Sequence, residues 1–210
     1  MTVFRVSSRP FDAVLCDLDN VIRFYDTAPL AELERAAGLV EGATARVAFA
    51  PEVDLPLLRG QISKEEWVGV IASALAGRVS PTCAYELGRA LADAPFWADE
   101  AVVALLRRVR RHMPLVLVTN ATLELERDLE SMGLADLADH VVSSARVGVA
   151  KPDRVIYEIA AERAGVPAAR CLFIDDRLEN VEAAIALGMS GLHYHQPADL
   201  QKSLSFLIDD

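Results

Sequence analysis

Apolar and polar positions divide this chain into stretches of different texture. Ala13-Val14-Leu15-Cys16 is a short apolar run that stops at Asp17-Leu18-Asp19-Asn20. It is too short for a helix and carries the buried residue types of a central strand. From about Asp26 to Ala94 the apolar residues fall at helical spacing instead: Leu30, Leu33 and Ala37, then Trp67, Val70, Ile71, Ala74 and Leu75. Ser63 with Glu66 three residues on has the form of a capping box opening the second of these helices. No strand is expected in this stretch, which reads as a small all-helical module.

After Pro95 strands and helices alternate. Val102, Leu105, Leu106 and Val109 mark a helix, followed by the run Leu115-Val116-Leu117-Val118 and polar Thr119-Asn120. Leu125, Leu129 and Met132 line another helix, closed by Gly133 as its C′ residue. Val141-Val142 is a short strand. Lys151-Pro152 precedes a helix with Val155, Ile156 and Ile159 inward, and Pro152 suits its first position. Cys171-Leu172-Phe173-Ile174 ends in Asp175-Asp176, then Val181, Ala184 and Ile185 mark a helix stopped by Gly188, and Leu192 to Tyr194 is a last strand. The alternation predicts an α/β fold: a Rossmann-like parallel sheet with helices on both faces, and a small all-helical cap inserted after the first strand. The expected division is 1–25 and 96–210 for the α/β core domain and 26–95 for the helical cap domain.

Composition narrows the function classes. The chain has 210 residues, 52% of them hydrophobic, and a formal net charge of −10. That length and hydrophobic content bury a core without disulfide or metal staples. The acidic balance argues against nucleic acid and against anionic membranes, but not against a small anionic substrate, which responds to local charge. Cys16, Cys83 and Cys171 form neither a disulfide framework nor a zinc pattern, as in a reduced, cytoplasmic protein. Met1 to Pro10 shows no apolar core of a secretory signal, and no apolar run has the length of a membrane span.

The candidate chemistry lies where strands end. Ligands of parallel α/β sheets bind at the carboxyl ends of the strands. Asp17 and Asp19 follow the first strand, Thr119 the second, Lys151 the third, and Asp175 and Asp176 the fourth. Singly, each has an ordinary role as a helix cap or a turn residue. Together they would crowd several carboxylates into one crevice, where like charges repel. A divalent cation with oxygen ligands resolves that conflict, and Mg²⁺ takes one or two carboxylates plus waters and phosphate oxygens.

This ordered set resembles the haloacid dehalogenase superfamily over almost the whole chain. Asp17-Leu18-Asp19-Asn20-Val21 resembles its first motif, Thr119-Asn120 the second, Lys151-Pro152 the third and Phe173-Ile174-Asp175-Asp176 the fourth. The helical insert is similar to the family's C1-type cap. Asn20-Val21 departs from a common Gly-Thr, a change that Asn accommodates because it tolerates tight-turn backbone. Asn180 stands where many members place another acid.

The resemblance implies an Mg²⁺-dependent phosphatase of small phosphorylated metabolites, working through an aspartyl-phosphate. Asp17 would be the nucleophile and Asp19 the acid and base, with a raised pKa. Asp17, the Asp19 carbonyl and Asp176 would hold the metal, Asp175 directly or through water. Thr119, the Asn120 amide and Lys151 would bind the phosphoryl oxygens. An intramolecular phosphomutase of sugar phosphates and a 2-haloacid dehalogenase are the alternatives on the same fold; Asp19, an acid able to protonate a leaving alkoxide, argues against the dehalogenase. A catalytically idle binding module is the reading from another class. The chain is expected to act on a small-molecule phosphate ester, as a monomer or homodimer.

Arg23, Phe24, Tyr25, Arg59 and Gln61 are candidate substrate contacts near or within the cap. Trp67 is in phase with the cap's apolar face and is expected in its core. Phe96-Trp97 are expected to pack at the return from cap to core. His193 and His195 point the same way along a strand but lack a third ligand, so they read as strand-end residues. Arg107, Arg108, Arg110 and Arg111 read as a solvated helix face.

Overall fold

The computed structural model describes residues 9–207, so the amino-terminal stretch read for a secretory signal lies outside the described residues up to residue 8. The first strand, β1 (Ala13–Cys16), is followed by a short strand β2 (Arg23–Tyr25) and five helices: α1 (Ala28–Ala36), α2 (Ala43–Ala48), α3 (Pro51–Leu58), α4 (Lys64–Ala74) and α5 (Pro81–Ala92). The chain returns through β3 (Phe96–Ala98) into α6 (Glu100–Arg110), β4 (Leu115–Thr119), α7 (Leu125–Ser131), β5 (His140–Ser143) and α8 (Ser144–Val147). It ends with α9 (Arg154–Ala164), β6 (Cys171–Asp175), α10 (Leu178–Ala186), β7 (Ser190–His193) and α11 (Pro197–Ser203).

Five strands form a sheet of order β5-β4-β1-β6-β7, with every pairing parallel. Strand alternation divides its side chains between two cores. Val14, Cys16, Leu115, Leu117, Leu172 and Ile174 pack with Val102, Leu106, Leu125 and Leu200 on one face. Ala13, Leu15, Val116, Val118 and Phe173 pack with Ile156, Tyr157, Ala160 and Ala184 on the other. The central strands are buried along their whole length, which explains their unbroken apolar runs.

The insert has its own core, in which Leu30, Leu57, Trp67, Ile71, Leu75 and Leu87 are buried together. Ser63 and Glu66 form the expected reciprocal capping box at the start of α4. No named strand falls within the insert among the described residues; just outside it, β2 and β3, which the sequence reading did not foresee, pair antiparallel where the chain leaves and re-enters the α/β layer. Trp97 does not pack inward there; it is 53% exposed and stacks against Phe24. Three-residue strands leave too short an alternation to read from sequence. Pro152 is likewise not the first helical residue. It lies in a turn, and Asp153 caps α9 through the Val155 amide. The Arg107–Arg111 face is exposed but not merely solvated, since Arg110 pairs with Asp139 at 2.9 Å. No helix of the described residues is long and apolar enough to cross a membrane.

Candidate active site

The polar residues that follow β1, β4 and β6 meet at the carboxyl edge of the sheet. β1 lies between β4 and β6, so the residues following these three strands are neighbours although more than 150 positions separate the first from the last. Asp17 extends β1 by one residue, and its amide donates to the Ile174 carbonyl of β6 at 2.8 Å. The loop after it turns through Asn20 at φ 59°, the left-handed backbone expected of Asn at this place.

Lys151 is the centre of the site. Its Nζ lies 2.7 Å from Asp17 Oδ1 and 2.7 Å from Asp175 Oδ2, with its side chain 1% exposed. The Asn120 side chain fixes the Lys151 backbone from both sides, accepting from its amide at 2.7 Å and donating to its carbonyl at 3.0 Å. Asp175 is saturated. Besides Lys151, it accepts from the Asn180 amide group at 3.0 and 3.1 Å and from the Arg177 backbone amide at 2.8 Å. Asn180, whose role the sequence left open, is therefore an anchor for Asp175.

Burial pushes the Asp17 carboxyl up to about 8; Lys151 pulls against this, while the charges of Asp175 and Asp19 add to it. Burial also raises Asp176, again with Asp175 beside it. For Lys151 burial favours the neutral amine, but Asp17 and Asp175 more than offset that and raise it. The site thus holds one buried cation among more acids than it can neutralise.

A metal ion fits that imbalance. Asp17, Asp175 and Asp176 each offer one carboxylate oxygen, all within 4.8 Å of one another. An all-oxygen, multiply anionic set suits a hard divalent cation. The Asp19 carboxylate is not part of this cluster. It is gripped by Arg23 and accepts from the Tyr25 hydroxyl at 3.1 Å. Arg23 reaches Asp128 as well, at 2.9 Å, a partner on α7 that no sequence signal marks. Thr119 ends β4 fully buried, and its hydroxyl has no hydrogen-bond partner.

The site opens into a cavity of about 970 Å³ between the sheet edge and the insert. Asp17, Asp19, Arg23, Phe24, Tyr25, Asn120, Lys151 and Asp176 line it, whereas Arg59 and Gln61 do not. His193 and His195 stand apart from it, their rings 4.2 Å apart and His193 Nε2 against the Asp176 carbonyl.

Comparison with known proteins follows the same lines. A family model described as haloacid dehalogenase-like hydrolase matches residues 11–188. The phosphatase MT3486 of Mycobacterium tuberculosis is 31% identical over 192 residues, covering 84% of this chain and 84% of that protein. The sesquiterpene phosphatase astK of Aspergillus oryzae is 37% identical over 97 residues; the match covers 45% of this chain and half of that relative's length. A HAD family enzyme of Bacteroides thetaiotaomicron, solved with magnesium and inorganic phosphate, superposes with a TM-score of 0.66 at 20% identity, over 86% of this chain and 92% of that one. A likeness at that identity shows a shared fold. With the family model spanning four of the five sheet strands, the insert and the strand-end residues from Asp17 to Asp176, the chain belongs to the haloacid dehalogenase-like hydrolases.

Proposed function

We propose that this hydrolase is an Mg²⁺-dependent phosphatase of small phosphorylated metabolites, with Asp17 as its nucleophile. The observation that carries the reading is the buried Lys151 ammonium set between Asp17 and Asp175, where Lys151 and Asp17 line a cavity. Relatives named as phosphatases support it.

In this mechanism an Asp17 oxygen attacks phosphorus and the ester P–O bond breaks. Asp19 protonates the leaving alkoxide, a step for which one of its two Arg23 hydrogen bonds must open so that the freed oxygen can carry the proton. A water then attacks the aspartyl-phosphate, Asp19 takes the water's proton, and inorganic phosphate leaves with Asp17 restored. Lys151 supplies fixed positive charge to the phosphoryl oxygens, and the unpartnered Thr119 hydroxyl and the Asn120 amide donate to them. Asp17, Asp176 and the Asp19 carbonyl would hold Mg²⁺; Asp175 is committed to Lys151, Asn180 and the Arg177 amide, so its share in the ion is indirect. When bound, the ion screens the nucleophile from the phosphate's negative charge. Arg23, expected to contact substrate, has its guanidinium engaged by Asp19 and Asp128, and its role becomes the positioning of Asp19. Residues 26–95 act as a cap domain that excludes water from the core formed by 1–25 and 96–210.

The test is phosphate release from a broad panel of phosphate esters with Mg²⁺, wild type beside Asp17→Asn. Release that Asp17→Asn abolishes is the expected result. Wild-type protein that binds Mg²⁺ and phosphate yet hydrolyses nothing would overturn it, and sugar-phosphate isomerisation without release would make it a mutase.

A further inference from the structure

The cavity that receives the proposed phosphate carries further chemical information in its walls. At about 970 Å³ it stands at the upper end of the range for pockets that hold drug-sized ligands, roughly 300–1,000 Å³. Beyond the acidic centre, the insert lines it with Leu30, Phe49, Leu57, Trp67 and Leu91, and Phe96 closes the side near β3. These are large, mainly apolar groups, and the one polar atom among them is the Trp67 indole N–H, which is buried without a partner.

The cationic groups in the lining are already occupied. Arg23 holds Asp19 and Asp128, Lys64 lies 2.8 Å from Asp93, Lys151 holds Asp17 and Asp175, and Arg177 pairs with Glu179. Glu34, the acid of α1 that faces the cavity, has both oxygens committed to the backbone amides of Gly42 and Thr44, at 2.6 Å each. Among the described residues of the lining, every Lys and Arg thus has an acidic partner. Glu41 and Asp54 add negative charge to the wall on the insert. A second phosphate or a carboxylate on the substrate would find no free cation there and would be repelled. A sugar or nucleoside would lose its hydration against apolar walls, and each hydroxyl buried without a partner is costly.

We infer that the alcohol half of the substrate is a bulky apolar group, so that the protein hydrolyses monophosphates of long-chain or polycyclic apolar alcohols to the alcohol and inorganic phosphate. This rests on the phosphatase reading and sharpens its substrate. Water supplies the oxygen of the released phosphate, and the leaving alkoxide takes up the proton, so no further reactant is needed.

The experiment is a kinetic series of butyl, hexyl, octyl and decyl monophosphates below their aggregation limits, with glucose 6-phosphate and adenosine 5′-monophosphate alongside. Burial of each added methylene should raise kcat/KM about three- to fourfold until the cavity is filled. Decyl phosphate should exceed the sugar phosphate and the nucleotide by at least tenfold. Phe49→Asp, at a position 59% exposed and so tolerant in folding, should cut the decyl-to-butyl ratio at least tenfold. A flat alkyl series, or a preference for the sugar phosphate or nucleotide, overturns the inference and leaves the phosphatase reading standing. Hydrolysis of no ester at all, with Mg²⁺ bound, overturns both.

Discussion

Both carboxylate oxygens of Asp19 are held by Arg23, Oδ1 by Nε at 2.6 Å and Oδ2 by Nη2 at 3.1 Å. The third guanidinium nitrogen reaches Asp128, and the guanidinium carbon lies 5.2 Å from the Tyr25 ring centroid and 5.4 Å from that of Phe96. Arg23 is therefore a rivet joining the loop after β1, the β2–β3 pair and α7. Its side chain is 5% exposed, while those of Asp19 and Asp128 are 29% and 28% exposed. Removing a buried charge from two acids costs about 3–5 kcal/mol when all are buried; the partly solvated partners reduce this. Arg23→Met should cost about 2–3 kcal/mol in urea unfolding, and Arg23→Lys should recover only part, because an ammonium lacks the planar fork. A change in unfolding free energy within about 0.5 kcal/mol for Arg23→Met, the range of an ordinary surface substitution, would show that the rivet bears no load.

The high proton affinity of Asp17 gives the metal-free protein a specific pH response. In the folded state its carboxyl sits at about 8, against 3.8 for the free side chain. The folded protein thus binds this proton more tightly than the unfolded chain does. The associated stability is fully present below the unfolded value and is lost as pH rises through about 8. Asp17→Asn cannot lose a proton. Measured in chelator, the Tm of Asp17→Asn minus that of wild type should therefore grow between pH 5 and 8.5, by on the order of 10 °C. Asp54, which burial pushes up to about 6, titrates in the same direction in both proteins and cancels from the difference. A difference that stays constant with pH would refute the assignment.

The sheet and most of the site were legible because each central strand is buried on both faces. Burial forces an unbroken apolar run, and the first polar residue after it marks the carboxyl edge where the candidate site lies, as at Asp17, Thr119 and Asp175. The Ser63–Glu66 box was legible because capping is a local interaction. What escaped was set by distant partners. Asp128 looks like any acid in the first turn of a helix until Arg23 meets it from 105 residues away. Asn180 looks like a departure from the family pattern until Asp175 is seen to need its amide. The cavity's lining is likewise invisible in sequence, since it is drawn from most helices of the insert.

Asn180 provides a further prediction. Its amide nitrogen serves both oxygens of a fully buried carboxylate. Asn180→Ala leaves Asp175 with fewer donors and should cost about 1–3 kcal/mol. Asn180→Asp should cost more at pH 7.5, because it replaces a donor with a second negative charge beside Asp175. Chemical denaturation of the metal-free proteins ranks them, and Asn180→Asp as stable as wild type would contradict the anchoring role.

The last prediction concerns where the helical insert touches the α/β layer. Gly60, just after α3, has φ +68°, and a Cβ added there would lie 2.5 Å from the Ala145 carbonyl oxygen in α8. Two backbones meet at this point with no room for a methyl group. Gly60→Ala must adopt an unfavourable left-handed conformation, costing about 1–2 kcal/mol, and must also push the insert away from α8. Gly38→Ala is the matched control: φ is +74°, and a Cβ would have no neighbour within 4 Å. The control pays the backbone cost alone. Gly60→Ala should therefore be less stable than Gly38→Ala by at least about 1 kcal/mol, and proteolysis within residues 26–95 should be faster in it. If the two variants lose equal stability and resist protease equally, the close approach of Gly60 to Ala145 does not hold the insert in place.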